Sequence, residues 1–393
     1  MASAYSLSQE HNPIFGKELR KQFPFAPEWV NLNHGSFGSL PNVVRQKSDD
    51  LRSQTEARPD WFIRYEYPKL LDENRAAVAE LVNAPLETVV FVSNATVGVN
   101  TVFRNIRWNP DGKDVALCFS TVYGACGKVI DYMTDYHQGL VSSYEIPLAY
   151  PAEDADVVQK FRDAVRDLEA EGRRARIVVI DVVSSLPGGI GMLPLDLSAA
   201  DPDFFVSNCH KWLHVPRGSA VFYVPVRNQH LIATTLATSH GYIPRTSNRL
   251  NPLPPSSKSP LSPISSARLP LGSEQGRRPS HRRPPRHPVM ENATGSLTNC
   301  AMANIALPIW VGEPGAGALD TDVTLTSDES AKALQWILRT LMSDHNTFVA
   351  LFIHGGRYFT RVSAQVYLDL DDYRYGAKAL KDVCDRLAKR EFL

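Results

Sequence analysis

Between Val89 and Val183 the chain alternates short apolar runs with amphipathic stretches, a pattern that few folds accept. Val89–Ser93, Asp114–Ser120, Leu140–Ile146 and Arg176–Val183 read as strands. Gly124–Tyr136 and Ala155–Ala170 read as helices, the second with Val157, Val158, Phe161, Val165 and Leu168 on one face. Strands alternating with helices at this spacing require right-handed crossovers and give a mainly parallel sheet. RIVVIDVV (176–183) is apolar enough to predict a buried strand.

Another helix starts at Asn94, a good N-cap, followed by the small residues Ala95 and Thr96. The free N–H groups of a helix start, with a Thr hydroxyl, make a phosphate cradle, although any capped helix looks the same. Upstream, residues 1–13 form a loose tail and Glu18–Phe23 a helical turn. VNLNHGSFGSLP (30–41) is a Gly- and Asn-rich loop that permits close backbone approach to a ligand, or simply connects two elements. Residues 43–83 are helical in pattern. Their aromatics Trp61, Phe62, Tyr65 and Tyr67 read as core, the alternative being a pocket for a quaternary ammonium group.

Two stretches break the alternation. After RIVVIDVVSSLPGGIGMLPLD the chain reaches a strand at Asp203–Val206 with no intervening helix, although a parallel crossover needs a dozen residues or more. Residues 251–287 are dense in Pro, Ser and Arg, with no apolar period, which is the composition of disorder; a basic nucleic-acid tail is the functional alternative. Beyond them, strands at Cys300–Pro308, Thr347–His354 and Tyr358–Leu370, with helices at Ser330–Leu341 and Tyr373–Ala388, predict a compact α+β lobe. The expected division is therefore a tail (1–13), a large domain (14–250), an irregular segment (251–288) and a small domain (289–393).

Lys+Arg and Asp+Glu both total 42, so no net charge recruits nucleic acid or an anionic membrane. Five scattered cysteines without CxxC spacing argue against a disulfide framework or a zinc site and suit a reducing compartment. With no apolar leader at the N-terminus and no membrane-length run, the expected setting is the cytoplasm.

The segment DFFVSNCHKWLHVPRGSAVFYVP (203–225) places Lys211 in a polar bend between two apolar strands, flanked by His210 and Trp212. Partial burial disfavours the ammonium form, which is how a lysine becomes an imine-forming nucleophile. Alone, the segment reads first as a surface lysine in a turn.

Taken in order, NLNHGSFG, VVFVSNATVGVNTV, TVYGACGK, VVIDVVSS, SNCHKWLHVPRGSAVFYVP, SHGY and RVSAQVYL resemble the class V aminotransferases. These are pyridoxal phosphate (PLP) enzymes of fold type I that include cysteine desulfurases and isopenicillin N epimerase-like proteins. The likeness leans toward the fungal hercynylcysteine sulfoxide lyases. It implies a large domain with a mainly parallel central sheet, a smaller α+β C-terminal domain and a homodimer. By position, Lys211 matches the Schiff-base lysine. Ala95, Thr96 and Asn208 match phosphate contacts, and His210 flanks the cofactor. Tyr123 matches the ring against the pyridine face, and Asp181 a group near the 3-oxygen. Asn33 and His34 fall at the substrate, and Arg361 matches the clamp on its carboxylate. No metal is implied.

Two departures stand out. The family has a helix, then a strand ending in an Asp that pairs with the pyridinium nitrogen, before the Lys strand; here SSLPG joins directly to GIGMLPLD. Second, a strand and a Gly-Thr phosphate contact donated to the neighbouring subunit are expected where the Pro/Arg-rich text stands. Both departures read as a lost exon and a misread frame, leaving the central sheet incomplete.

The activity implied is β-elimination from a cysteine-S-conjugate, with hercynylcysteine sulfoxide as substrate in ergothioneine formation. An epimerase or aminotransferase shares the same Lys and Arg. A desulfurase needs a loop cysteine as sulfur acceptor; His354–Thr360 has none, and Cys300 reads as lying in a strand. GGIG (188–191) lacks the full G-x-G-x-x-G and a following helix, so a nicotinamide dehydrogenase is poor. A catalytically impaired relic is the remaining alternative.

Overall fold

The computed structural model describes residues 15–182, 189–237 and 288–393. The tail 1–13, the SHGY motif (239–242), the junction 183–188 and the stretch 251–287 lie outside the described residues. Helices α1 (Lys17–Arg20) and α2 (His34–Phe37) are single turns, followed by α3 (Asn42–Ala57) and α4 (Pro59–Trp61). A π-helical turn, Phe62–Glu66, leads into α5 (Tyr67–Leu81). The alternation then appears as β1 (Val89–Val92), α6 (Ala95–Asn105), β2 (Asp114–Phe119), α7 (Gly124–Tyr136), β3 (Val141–Ile146), α8 (Asp154–Ala170) and β4 (Arg174–Val179). Next come α9 (Leu197–Ala200), β5 (Phe205–Asn208), α10 (Cys209–Trp212) and β6 (Ala220–Tyr223). The C-terminal lobe holds β7 (Met302–Val311), β8 (Val323–Leu325), α11 (Ser327–Ser343), β9 (Ala350–His354), β10 (Arg357–Ser363) and α12 (Leu370–Ala388).

Helix boundaries follow their caps. The Asn94 side chain accepts from the Val97 amide and opens α6, while Thr326–Glu329 and Asp369–Asp372 form capping boxes on α11 and α12. The α/β class holds, and the central sheet is incomplete, as the missing helix and strand implied: the described residues form a parallel sheet in the order β3-β2-β4 and a second in the order β1-β6-β5, where β6 runs antiparallel to both neighbours. The strands β1, β2, β4 and β5 nevertheless deliver Ala95, Tyr123, Asp181 and Asn208 from their carboxyl ends, the usual site position in α/β sheets.

The predicted buried strand is also corrected. β4 is exposed over its first half, and Ile180 and Val182 just beyond it are 59% and 51% exposed. Its outer edge has no partner strand among the described residues, so the apolar side chains meant for a sheet interior face outward. The aromatic cluster divides likewise. Phe62 is buried, but Trp61 and Tyr65 are each 54% exposed with their rings 4.9 Å apart. The π-helical turn shifts the phase between α4 and α5 and turns them away from the core.

Cys300 lies in the loop before β7, not in a strand, because pairing with β10 begins only at Met302 opposite Ser363. The N-terminal segment departs from the expected division as well. Phe23 and Leu32 are buried in the C-terminal lobe with Leu307, Ile337, Tyr358 and Val383, and the Val30 amide donates to the Asn346 carbonyl. Residues 30–37 thereby run between the C-terminal lobe and the Lys211 turn.

Candidate active site

β5 ends at Asn208 and the chain turns through α10, which buries Lys211 to 4% exposure. The turn is held from outside by α2. Gly38, at φ +65°, closes α2, and a Cβ there would run into the His210 carbonyl oxygen. Glycine is therefore required by both the dihedral and the approach.

The Lys211 Nζ stands 5.9 Å from the centroid of the Tyr123 ring. Burial, then the positive charge of Arg361, pulls its pKa from 10.5 down to about 8. Arg361 reaches the same space from β10. Its Nη2 donates to the Ser36 hydroxyl at 3.2 Å, its Nε is buried without a hydrogen-bond partner, and burial lowers its pKa. Ser36 in turn donates to Asn33 Oδ1 at 2.9 Å. A buried guanidinium held by a neutral hydroxyl suits an incoming carboxylate.

At the opposite end, the Ala95 amide donates to Asn208 Oδ1 at 2.9 Å, so Asn208 sits on the first N–H of α6, with Thr96 exposed beside it. His210 Nδ1 is buried without a partner, and burial followed by the Lys211 charge lowers its pKa. Asp181 Oδ2 accepts from the Tyr123 amide at 2.7 Å and so anchors the start of α7. Asp196 is committed elsewhere, capping α9 through the Ala199 amide and accepting from Asn83.

Lys211, Tyr123, Arg361, Asn208, His210, Ala95, Thr96 and Asp181 are thus brought to one region. Two expected residues sit differently. His34 is 1% exposed and bonds the Lys211 main chain and Tyr367, and the buried Asn33 accepts from the Ser36 hydroxyl. Ser36 and Tyr367 were not singled out from sequence, while Trp212, noted there only as a flank of Lys211, has its Nε1 buried without a partner. Tyr367 stands 333 positions from His34, and nothing in local spacing announces that contact.

Among the described residues, no group of three or more His, Cys, Asp or Glu could hold a metal ion. A phosphorylated aldehyde fits the donor set better. It finds a lysine of depressed pKa, an aromatic face, and a helix start beside an unpartnered buried histidine nitrogen. The fit is incomplete at one point: Asp181 and Asp196, the acids weighed for a pyridinium nitrogen, are engaged by the Tyr123 amide and by α9.

No family model matches the chain. It is 28% identical over 448 residues to an L-cysteine desulfhydrase-like protein of Epichloe uncinata, covering 96% of this chain and 97% of that protein. That alignment is longer than the 393 residues present here, so the relative carries stretches this chain lacks. Over 414 residues it is 25% identical to the hercynylcysteine sulfoxide lyase of Schizosaccharomyces pombe, covering 95% and 99%. Among solved structures, the cystine C–S lyase C-DES in complex with its product cysteine persulfide matches with a TM-score of 0.64 at 14% identity, over 93% of this chain and 99% of that one. Another structure of C-DES, likewise at TM-score 0.64, has glycine covalently linked to the PLP cofactor. At such identities the structures establish the fold, which is that of the PLP-dependent C–S lyases and cysteine desulfurases.

Proposed function

We propose that this chain, built on the fold of the class V aminotransferase-like enzymes and homologous to cysteine desulfhydrase-like proteins, is a PLP-dependent C–S lyase acting on a cysteine-S-conjugate. The observation that carries this reading is the meeting of a buried lysine amine of lowered pKa and a buried arginine with an open Nε. Lys211, Asn208, Ala95, Thr96, His210 and Tyr123 would hold the cofactor, which when bound supplies an electron sink for the Cα carbanion. Arg361, steadied by Ser36, holds the substrate carboxylate and turns the Cα–H toward Lys211. With its pKa near 8, a useful fraction of Lys211 is neutral at physiological pH, and Nζ takes the Cα proton. The Cβ–S bond breaks, the sulfur leaves with the bonding pair, and hydration of the remaining fragment gives pyruvate and ammonia.

Hercynylcysteine sulfoxide is the substrate we favour, on the likeness to the Schizosaccharomyces pombe lyase. Ergothioneine formation, a homodimer and a cytoplasmic setting belong to the same proposal. Among the described residues, no helix is long and apolar enough to cross a membrane. The test is absorbance in the PLP imine band, borohydride trapping with mass mapping, and pyruvate release from cysteine sulfoxides. Trapping on a lysine other than Lys211 overturns the assignment.

One observation favours a second reading, a sulfur-accepting desulfurase. Cys300 lies in a loop and packs against the Trp212–Met302 cluster, one residue along from Lys211. Replacing Cys300 with Ala leaves pyruvate release intact if the enzyme is a lyase. It abolishes alanine formation from cysteine if the thiol accepts sulfur.

A further inference from the structure

The single helical turn α2 touches both reacting ends of the site. Ser36 steadies Arg361, and two residues earlier His34 reaches the Lys211 main chain. The His34 Nε2 contacts the Lys211 carbonyl oxygen, and its Nδ1 lies 2.9 Å from the Tyr367 hydroxyl. A carbonyl oxygen only accepts, so Nε2 carries the proton and Nδ1 accepts from the Tyr367 O–H. The Tyr367 oxygen in turn accepts from the Asn31 amide at 2.6 Å. Every donor from Asn31 through Tyr367 and His34 to the Lys211 carbonyl is thereby fixed in one direction. Burial, then the nearby His214, lowers His34 to about 3, so the ring stays neutral, and burial keeps Tyr367 protonated.

We propose that His34 is a positioning residue for Lys211, tying the turn that carries the reacting amine to the C-terminal lobe that carries Arg361. The proposal rests on the reading of Lys211 as the reacting amine. Lys211 follows β5, Arg361 lies on β10, and Tyr367 stands between β10 and α12. The amine and the guanidinium must face one substrate although they come from different sheets. α2 meets that demand by bonding both, and the order Asn31, Tyr367, His34 sets its own orientation. The competing view is a ring that only fills space between Trp212, His214 and Tyr367, whose centroids lie 5.4, 4.9 and 5.8 Å away.

The two views separate in the titration of the Lys211 amine, which Arg361, His210 and the Tyr123 ring also face; His34 itself is faced by His214 and Tyr367. The full chain, freed of PLP, is reacted with trinitrobenzenesulfonate across a pH series, and Lys211 modification is followed by mass spectrometry. The parent midpoint is expected near 8. His34→Phe fills the space without a donor, so the turn loosens, the amine gains solvent, and the midpoint rises by about one pH unit or more. His34→Gln restores a donor to the carbonyl and returns the midpoint to within about half a unit of the parent. Tyr367→Phe, which keeps the ring in the core, moves it part of the way and carries the test if a His34 variant fails to fold. A parent midpoint retained in His34→Phe, or a Gln variant displaced as far as Phe, overturns the proposal. A parent midpoint at the ordinary lysine value instead overturns the reading of Lys211 on which it rests.

Discussion

A lysine sealed to 4% exposure is a liability to folding before it is an asset to chemistry. The unfolded chain binds its proton up to 10.5, the folded chain only up to about 8. The unfolded state therefore binds more protons between those limits, and stability rises with pH across that window. The destabilisation is fully present below pH 8, fades as pH rises toward 10.5 and is gone above it. Lys211→Met is expected to raise stability at pH 7 by up to about 3 kcal/mol while abolishing PLP capture, a trade common at active sites. Urea melts of both proteins at pH 7 and pH 10 check this, and a gain equal at the two pH values would reject the titration account. Arg361 makes the second residue-scale prediction. Arg361→Lys keeps the charge but loses the planar fork and the contact with Ser36, so binding of cysteine conjugates should weaken by about 1–3 kcal/mol. Unchanged affinity by calorimetry removes Arg361 from the substrate site.

At the scale of elements, Gly38 shows how tightly the loop 30–41 is fitted against α10. Gly38→Ala brings a Cβ onto the His210 carbonyl at a positive φ, and is expected to cost about 1–3 kcal/mol in a urea melt. A smaller loss means that α2 can slide away from the Lys211 turn without strain. The sequence pattern was legible wherever local periodicity decides. α7 spans Gly124–Tyr136 as expected, and α6 opens at its Asn94 cap. It was less legible where pairing with distant strands sets the limits. β10 stops at Ser363, not Leu370, because its partner β7 begins at Met302, and Cys300 consequently falls in a loop. In the site, Lys211, Arg361 and Asn208 were marked by residue type in a family pattern. Ser36, Tyr367 and the roles of Asn33 and His34 depend on tertiary contacts that no spacing encodes. The π-helical turn escaped for a related reason: its extra residue breaks the helical period by which Trp61 and Tyr65 would count as core.

For the molecule as a whole, the split between the two three-stranded sheets is the fact with the widest consequence. Ile177 of β4 packs both with the cluster around Phe103 and Ile130 and with the cluster around Val92 and Phe222, so the sheets meet on the α6 face. On the other face the clusters around Phe91 and Leu213 and around Leu117 and Leu168 share no residue. Apolar side chains at the end of β4 stand exposed, and the chain passes from Val182 to Ile190 with no room for a crossover. A strand between β4 and β5 would join the sheets, and its carboxyl end would open onto Lys211, where Asp181 is already occupied with the Tyr123 amide. We therefore expect the 393-residue chain to be only marginally stable and to turn over cysteine sulfoxide conjugates slowly. Inserting a helix and an apolar strand ending in Asp between Val182 and Ile190 should raise the melting temperature. It should also raise turnover by about 10-fold or more, the worth of one charge-assisted hydrogen bond to a ring nitrogen. The same insertion ending in Asn should keep the thermal gain and lose the catalytic one, which separates sheet completion from the acid. If the parent chain proves as stable and as fast as the Asp insertion, the sheets are complete as they stand, and Asp181 is the acid to replace next.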